Sequence, residues 1–404
     1  MNQNSKIHLP FLDGIRGIAI LAVFLYHCIG ASIGYSNTHL PWNGLFRSFE
    51  VSSTRLVLFP FSYGFAGVAV FFVVSGFCIH LSHQRSKERS WLSFANKRFF
   101  RIYPPYLLAI CFFSFVWPWG SIATVGVRQA AQLLTHLLAI HNLDERTFFG
   151  INGSFWSIAV ELQLYVIYPL LLLFQRQFGW TRTLIVVGLM EFIIRLVGSL
   201  GGFVSEYRLP YSIVFSPFAF WFSWSIGAYL CEFFINCKSS RLFKVRCDLV
   251  AIVAFSLPLF RPTEPFTFLA FALLTAVVIE RLITEKWKLP VSSLFRLLWS
   301  HLSFLGVVSY SFYLFHQPII GLTERALNKL LPETSVHPLF KYVVCLSWYP
   351  SILLFSYLLY RSIEKPSILF GNFVWRKVKE KPNKTVVDNR LPAPCRDDPP
   401  NYNP

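Results

Sequence analysis

The chain has 404 residues, 54% of them hydrophobic and only 14% charged, which excludes an ordinary soluble domain and excludes disorder along most of the length. A formal net charge of +17 would suit nucleic acid in a soluble protein, but in so apolar a chain Lys and Arg first report membrane orientation and anionic partners. The 43 Phe, 17 Tyr and 12 Trp are spread through the apolar runs as lipid-facing and interfacial residues, not as base-stacking platforms.

Runs of about 17 to 25 apolar residues predict an all-α, polytopic membrane helix bundle of about ten transmembrane helices. They centre on residues 10–32, 62–82, 102–119, 154–174, 182–203, 211–235, 247–261, 265–283, 303–323 and 341–361. The seventh is short and interrupted by Pro258. Residues 130–142 form a shorter amphipathic run, read as a helix that lies at the interface or re-enters it. Arg85, Lys87, Arg89, Lys97, Arg98 and Arg101, with Lys238, Arg241, Lys244 and Arg246 later, crowd the connections on the side of the N-terminus. The positive-inside rule therefore makes both termini cytoplasmic. A membrane domain is expected over 1–372, followed by a basic and polar tail over 373–404 that is disordered beyond its start. The five cysteines in apolar runs, Cys28, Cys78, Cys111, Cys231 and Cys345, form no C-x-x-C pair, so neither a metal site nor a disulfide framework is expected.

The first run, FLDGIRGIAILAVFLYHCIG, places Asp13, Arg16 and His27 in a helix-length apolar stretch. Arg16 would interrupt the core of a signal peptide, so a retained span is expected. A charge at the bilayer centre costs roughly 2.5 to 3.5 kcal/mol on insertion scales, which makes such residues candidates for function. Arg16 and His27 are eleven residues apart, about three helical turns and roughly 16 Å on one face. A snorkelling arginine with a packing histidine is the equal rival reading. Asp13 either pins Arg16 or caps the helix start.

In the second run Gly64, Gly67 and Gly76, with Ser75, are small residues suited to close helix packing, and His80 is expected at the interface. KRFFRIYPPY sets Lys97, Arg98 and Arg101 at helical spacing before Pro104 and Pro105, which are expected to break or bend the helix. Two arginines three apart suit phosphoryl oxygens, although plain anchoring explains them nearly as well. In NGSFWSIAVELQLYVIYPLLLLF, Glu161 is followed at i+4 and i+7 by Tyr165 and Tyr168, with Gln163 nearby, a polar wall inside an apolar span. A structural ion pair with Arg16 is its rival explanation. Glu191 and Arg195, at i and i+4, read as a self-satisfied pair. SYSFYLFHQPII puts Ser309, Tyr313 and His316 on one face, with Pro318 bending or ending the helix, and YRSIEKP is expected to lock a helix end with Arg361, Glu364 and Lys365.

In this order the stretches LDGIRGIAILAVFLYH, FFVVSGFCI, KRFFRIYPPY, NGSFWSIAVELQLYVIYPLL, SYSFYLFHQPI and YRSIEKP resemble the acyltransferase 3 family of integral membrane acyltransferases, over about residues 8–370. One position departs from the family's pattern: members commonly carry two adjacent acids after the tryptophan-serine element, whereas Leu162 follows Glu161 here. A stand-alone transferase module, without the hydrolase-like domain fused in some members, is expected.

The resemblance implies a donor acyl-CoA, most often acetyl-CoA, used from the cytoplasm as a substrate rather than a bound cofactor. It implies as acceptor a hydroxyl of a cell-surface or lipid-linked glycan, and as location the bacterial inner membrane. A neutral imidazole suits deprotonation of a hydroxyl or carriage of an acyl group, and His27 is assigned that role. Arg16 would hold the donor or stabilise developing negative charge, with Lys97, Arg98 and Arg101 at the phosphates of the donor. Glu161 would orient His27 or bind the acceptor. Asp13, Trp156, Tyr165, Tyr313 and His316 are the candidate substrate-lining residues. The alternative is a transporter or flippase for a lipid-linked saccharide, which usually carries internal repeats and paired interrupted helices, and neither is evident in this chain.

Overall fold

The computed structural model describes residues 9–86, 90–116, 127–204, 209–236, 245–284, 292–330 and 337–380. Their fold is helical. In order run α1 (Pro10–Ile33), α2 (Ser53–Ser62), α3 (Gly67–Gln84), α4 (Trp91–Cys111), α5 (Val127–Leu137), α6 (Glu145–Phe148), α7 (Phe155–Val204), α8 (Tyr211–Val214), α9 (Trp221–Ile235), α10 (Cys247–Ser256), α11 (Thr267–Ile283), α12 (Ser293–Val307), α13 (Ser309–Leu330), α14 (Pro338–Ser347), α15 (Tyr349–Leu359) and α16 (Lys365–Glu380).

Helix α1 begins at Pro10, whose ring presets the helical φ, and stops at Gly34, which takes φ 82°. It packs against α3, α12, α13 and α14, which makes it the axis of the bundle. Close approach is secured by reciprocal glycines. Gly17 lies against the Leu302 carbonyl while Gly306 lies against that of Asp13, and Gly76 meets the Trp224 carbonyl while Gly227 meets that of Val73. A Cβ at any of the four would overlap backbone, so the expected packing role of Gly76 is met, and Gly64 and Gly67 likewise abut α1 at Ala22 and Ala19.

A short hairpin of β1 (Trp42–Asn43) and β2 (Phe46–Arg47) follows α1. Its Arg47 donates to the carbonyls of Leu40 at 2.7 Å and Pro258 at 3.0 Å and pairs with Glu264, which ties this loop to the α10–α11 connection.

Within α7 the chain reverses at Gly179, which takes φ 75°. Trp156 lies by Phe220 and Trp180 by Tyr229, while Arg195 returns to the Ala219 carbonyl, so the two halves run antiparallel beside α9. Glu191 and Arg195 pair as expected at 3.0 Å, and Glu191 also accepts from the Ser223 backbone and hydroxyl.

The described parts of the ten expected spans are largely helical, but the helices do not bear out ten separate crossings. By length and apolarity seven described helices can cross a membrane, or eight if α12 and α13 are one bent span. The protein is thus a multi-pass membrane protein, all-α in its described spans.

Several local expectations are corrected. The ninth span is not straight: α12 and α13 meet at 82° about Val308, inside the expected 303–323. Of the break or bend expected at the prolines, the break is overturned: Pro104 and Pro105 sit within α4, and Pro318 within α13, without ending either helix. YRSIEKP does not end a helix: a π-helical turn, Tyr360–Glu364, leads straight into α16. The start of the expected tail, to Glu380, continues α16, whereas 381–404 lie outside the described residues, as do Lys87, Arg89, Lys238, Arg241 and Lys244.

Candidate active site

A cavity of about 870 Å³, counting the space at its mouth, opens between α1, α3, α4, α7, α13 and the π-helical turn. Three helices and the turn bring charged residues to it: Arg16 from α1, Arg98 and Arg101 from α4, Glu161 from α7, and Glu364 from the turn. Five ionisable groups in an apolar bundle are costly to bury singly. Here each is set by a specific partner or opposed by a charge of the other sign.

Arg16 donates from Nη1 to Asp13 Oδ1 at 3.1 Å, one helical turn below, and its Nη2 lies 3.6 Å from Cys78 Sγ. Asp13 therefore pins Arg16, which decides between its two sequence readings, and it does not line the cavity. Glu161 accepts at Oε1 from the hydroxyls of Ser75 at 2.6 Å and Tyr165 at 2.5 Å, and the Trp224 indole steadies Ser75 at 3.3 Å. Two donors on one oxygen fix the carboxylate and leave Oε2 without a hydrogen bond among the described residues. Tyr168, expected on the same face, turns away to His80 at 2.9 Å, and Gln163 bonds Asn142 and the Ala139 carbonyl instead of joining a polar wall. His80 is itself buried and bridges Tyr168 to Glu232 at 2.7 Å, so it is not the interfacial residue expected.

Arg98 is buried and donates from Nη2 to Ser82 at 2.7 Å, with its Nε unpartnered. Arg101 makes no hydrogen bond within the described residues and faces Glu364 across the cavity. Lys97 turns to a small separate hollow by Ser82 and His83 and does not reach the cavity. Trp156 is also elsewhere, packed among Phe148, Phe215 and Phe220.

Tyr313 of α13 also lines the cavity. Its hydroxyl reaches the Ser154 carbonyl at 3.1 Å and shares a hydrogen bond with the Ser157 hydroxyl at 2.6 Å. One turn along α13 stands His316, its ring 5.4 Å from that of Tyr313 and 5.0 Å from that of His27. His27 is bonded through Nδ1 to the Tyr35 hydroxyl at 2.9 Å, near the C-terminal end of α1. Neither histidine lines the cavity, and Glu161 does not touch His27. The rings run in series from the cavity: Tyr313, His316, His27, Tyr35.

The sequence matches the family described as an acyltransferase domain over residues 9–361, which is most of the chain. The chain belongs to this acyltransferase 3 family. Among its relatives are the O-acetyltransferase OatA of Staphylococcus aureus, 26% identical over 42% of this chain and 26% of that protein, and Nodulation protein 10 of Rhizobium leguminosarum bv. viciae, 25% identical over 54% and 56%. The putative peptidoglycan O-acetyltransferase YrhL of Bacillus subtilis is 24% identical over 89% of this chain and 55% of its own. The chain thus spans from about a quarter to just over half of the length of these relatives. No solved structure matches.

For this acyltransferase 3 member, sequence reasoning missed Ser75, Ser157, Tyr310 and Glu364 as cavity residues. Glu364 is an acid inside an apolar helical run, a signal that the following Lys365 and Pro366 disguise as a helix end. Ser311 donates to its carboxylate at 2.8 Å. Leu162, the position where the family often has a second acid, packs against the core, so an acid there would meet apolar side chains.

Proposed function

We propose that the chain is a membrane O-acyltransferase that moves an acyl group, most simply acetyl, from cytoplasmic acyl-CoA to a hydroxyl of a cell-surface or lipid-linked glycan in the bacterial inner membrane. The observation that carries this reading is the convergence of Arg16, Arg98 and Arg101 in one cavity whose lining Tyr313 stands one helical turn from His316, beside the His27 ring. Guanidinium groups bind phosphoryl oxygens in bidentate fashion, and Arg101, without a hydrogen bond among the described residues, can meet the phosphates of the donor where it lines the cavity beside Arg98. The pantetheine arm then lies along the cavity towards Tyr313, and Arg16, held by Asp13, faces the developing charge.

His27 acts as general base. The acceptor oxygen gives its proton to the imidazole and attacks the thioester carbonyl, the carbon–sulfur bond breaks, and the departing thiolate takes up the proton. Because the ring hydrogen-bonds Tyr35 towards the C-terminal end of α1, the acceptor approaches from the side opposite the arginines. Transfer therefore runs across the membrane, and the Tyr313–Ser157 contact must part for the acyl group to pass.

His27→Ala assayed in inverted vesicles tests the base. It is expected to abolish acylation at unchanged protein level, and retained turnover would remove this reading. Sealed, oriented vesicles test the direction: acylation confined to acceptor supplied on the acyl-CoA side would sink transfer across the membrane.

A further inference from the structure

His316 is fully buried, and its Nδ1 lies 2.9 Å from the Tyr313 carbonyl. A carbonyl only accepts, so Nδ1 must carry the ring proton, and this fixes the tautomer. Nε2 is then a bare lone pair. It is buried and has no hydrogen-bond partner among the described residues. A polar atom left this way in an apolar bundle costs free energy unless something at times donates to it. Substrate cannot be that donor directly, because no part of His316 reaches the surface. Its neighbour is the His27 ring, 5.0 Å away between centroids and tilted by 56°. At that separation a small ring rotation, or one bridging water, joins a nitrogen of each ring.

We infer that His316 is the positioning residue that holds the proton on His27, its Nε2 accepting from the His27 imidazolium during acyl transfer. The inference rests on His27 acting as base. In the resting state Tyr35 occupies Nδ1 of His27, which leaves Nε2 to take the acceptor proton. Once that proton has moved, the acceptor oxygen turns to the acyl carbon, and the Nε2–H it leaves on His27 donates to the fixed lone pair of His316 until the sulfur takes the proton. The acceptor oxygen forms its bond to the acyl carbon, the thiolate leaves, and the proton passes from His27 to the sulfur. His316 makes and breaks no covalent bond.

Two substitutions separate this role from a structural one. His316→Asn keeps an N–H donor for the Tyr313 carbonyl and deletes Nε2, whereas His316→Gln places an amide oxygen near the position of Nε2. Acyl transfer from acetyl-CoA is followed in proteoliposomes, with the solvent deuterium isotope effect measured alongside. His316→Asn is expected to lower kcat tenfold to a hundredfold, with KM for acetyl-CoA within twofold of the parent and an altered isotope effect. His316→Gln is expected to recover a part of the lost kcat. The inference is overturned if His316→Asn turns over like the parent with the same isotope effect, or if His316→Gln folds and is no better than His316→Phe. Should His316→Asn fail to fold, the comparison of His316→Gln with His316→Phe decides alone. His27→Ala in the same liposomes keeps the two ideas apart: its retained activity removes the base and the partner together, whereas inactive His27→Ala beside fully active His316→Asn removes only the partner.

Discussion

His27 and His316 stand 5.0 Å apart on α1 and α13, and His136 and His141 stand 3.8 Å apart just ahead of α7, so the bundle holds two imidazole pairs. The second pair is the better packed. Its rings are parallel to within 7°, both are fully buried, and hydroxyls of Tyr106 and Thr147 bond the carbonyls of His136 and His141. Like His316, His136 donates from Nδ1 to a carbonyl, that of Gln132 at 2.8 Å, and leaves Nε2 bare. Local chemistry is thus almost the same in the two places. Surroundings differ: the first pair adjoins a cavity with three arginines and two carboxylates and has a half-buried member, while the second is sealed among aromatic rings such as Phe155. An imidazole becomes a base by having a proton to receive and a route for it, not by being buried with a free lone pair.

The largest effect that tests this contrast is on turnover. His27→Ala is expected to lower kcat by roughly 10³-fold or more, the scale of a lost general base, whereas His136→Phe with His141→Phe leaves kcat at pH 7 within about twofold. Measured side by side in one membrane preparation, a large loss in the second pair would erase the distinction. Next in size is Arg101→Ala, expected to raise KM for acyl-CoA about tenfold with little change in kcat, since a charged hydrogen bond to phosphate is worth about 1.5 to 3 kcal/mol. An unchanged KM would move the donor away from Arg101. Smaller again is Tyr35→Phe, which removes the partner of His27 Nδ1. The loss of one hydrogen bond predicts roughly a fivefold fall in kcat, and an unchanged rate would show that Tyr35 does not orient the ring.

How much of this was readable follows from what each residue costs in an apolar helix. Arg16, Arg98, Arg101 and Glu161 announce themselves, because an ionisable group among Leu, Ile and Phe is expensive wherever the helix packs, and all four meet in the cavity. Glycines of α3 were legible for the same steric reason. Tyr313 followed from its spacing, but His316, one turn on, does not line the cavity, because period alone fixes a face and not a depth. Trp156 misled, since an aromatic beside a polar motif packs as readily as it binds, and here it joins Phe148 and Phe215. The bend at Val308 comes two residues after Gly306, in an apolar run that otherwise reads as one continuous span. Glu364 was hidden by Lys365 and Pro366, which look like a helix end, whereas the π-helical turn swings the carboxylate inward to Ser311.

The smallest effect on turnover is also the clearest signature of the sealed pair, and it is a matter of pH and stability. Both of its members lie outside the helices apolar and long enough to span the membrane. Burial pushes His136 down to about 4, and burial with the neighbouring His136 pushes His141 well below the usual imidazole range. Folded chain therefore binds these protons more weakly than unfolded chain. Stability from the pair is complete above the ordinary histidine value of about 6.5 and falls as the pH drops towards about 4, by on the order of 3 kcal/mol for His136 alone. Thermal denaturation of the detergent-solubilised protein between pH 7 and pH 5 should show the loss begin near 6.5, ahead of the carboxylates, whose ordinary values are about 4. His136→Phe with His141→Phe should lessen the slope of that segment, leaving the part due to His39, which burial also pushes down to about 4, while His27→Ala leaves the contribution of this pair in place. A curve equally steep in the double Phe variant would place the acid-sensitive group elsewhere and leave the stacked pair as packing alone.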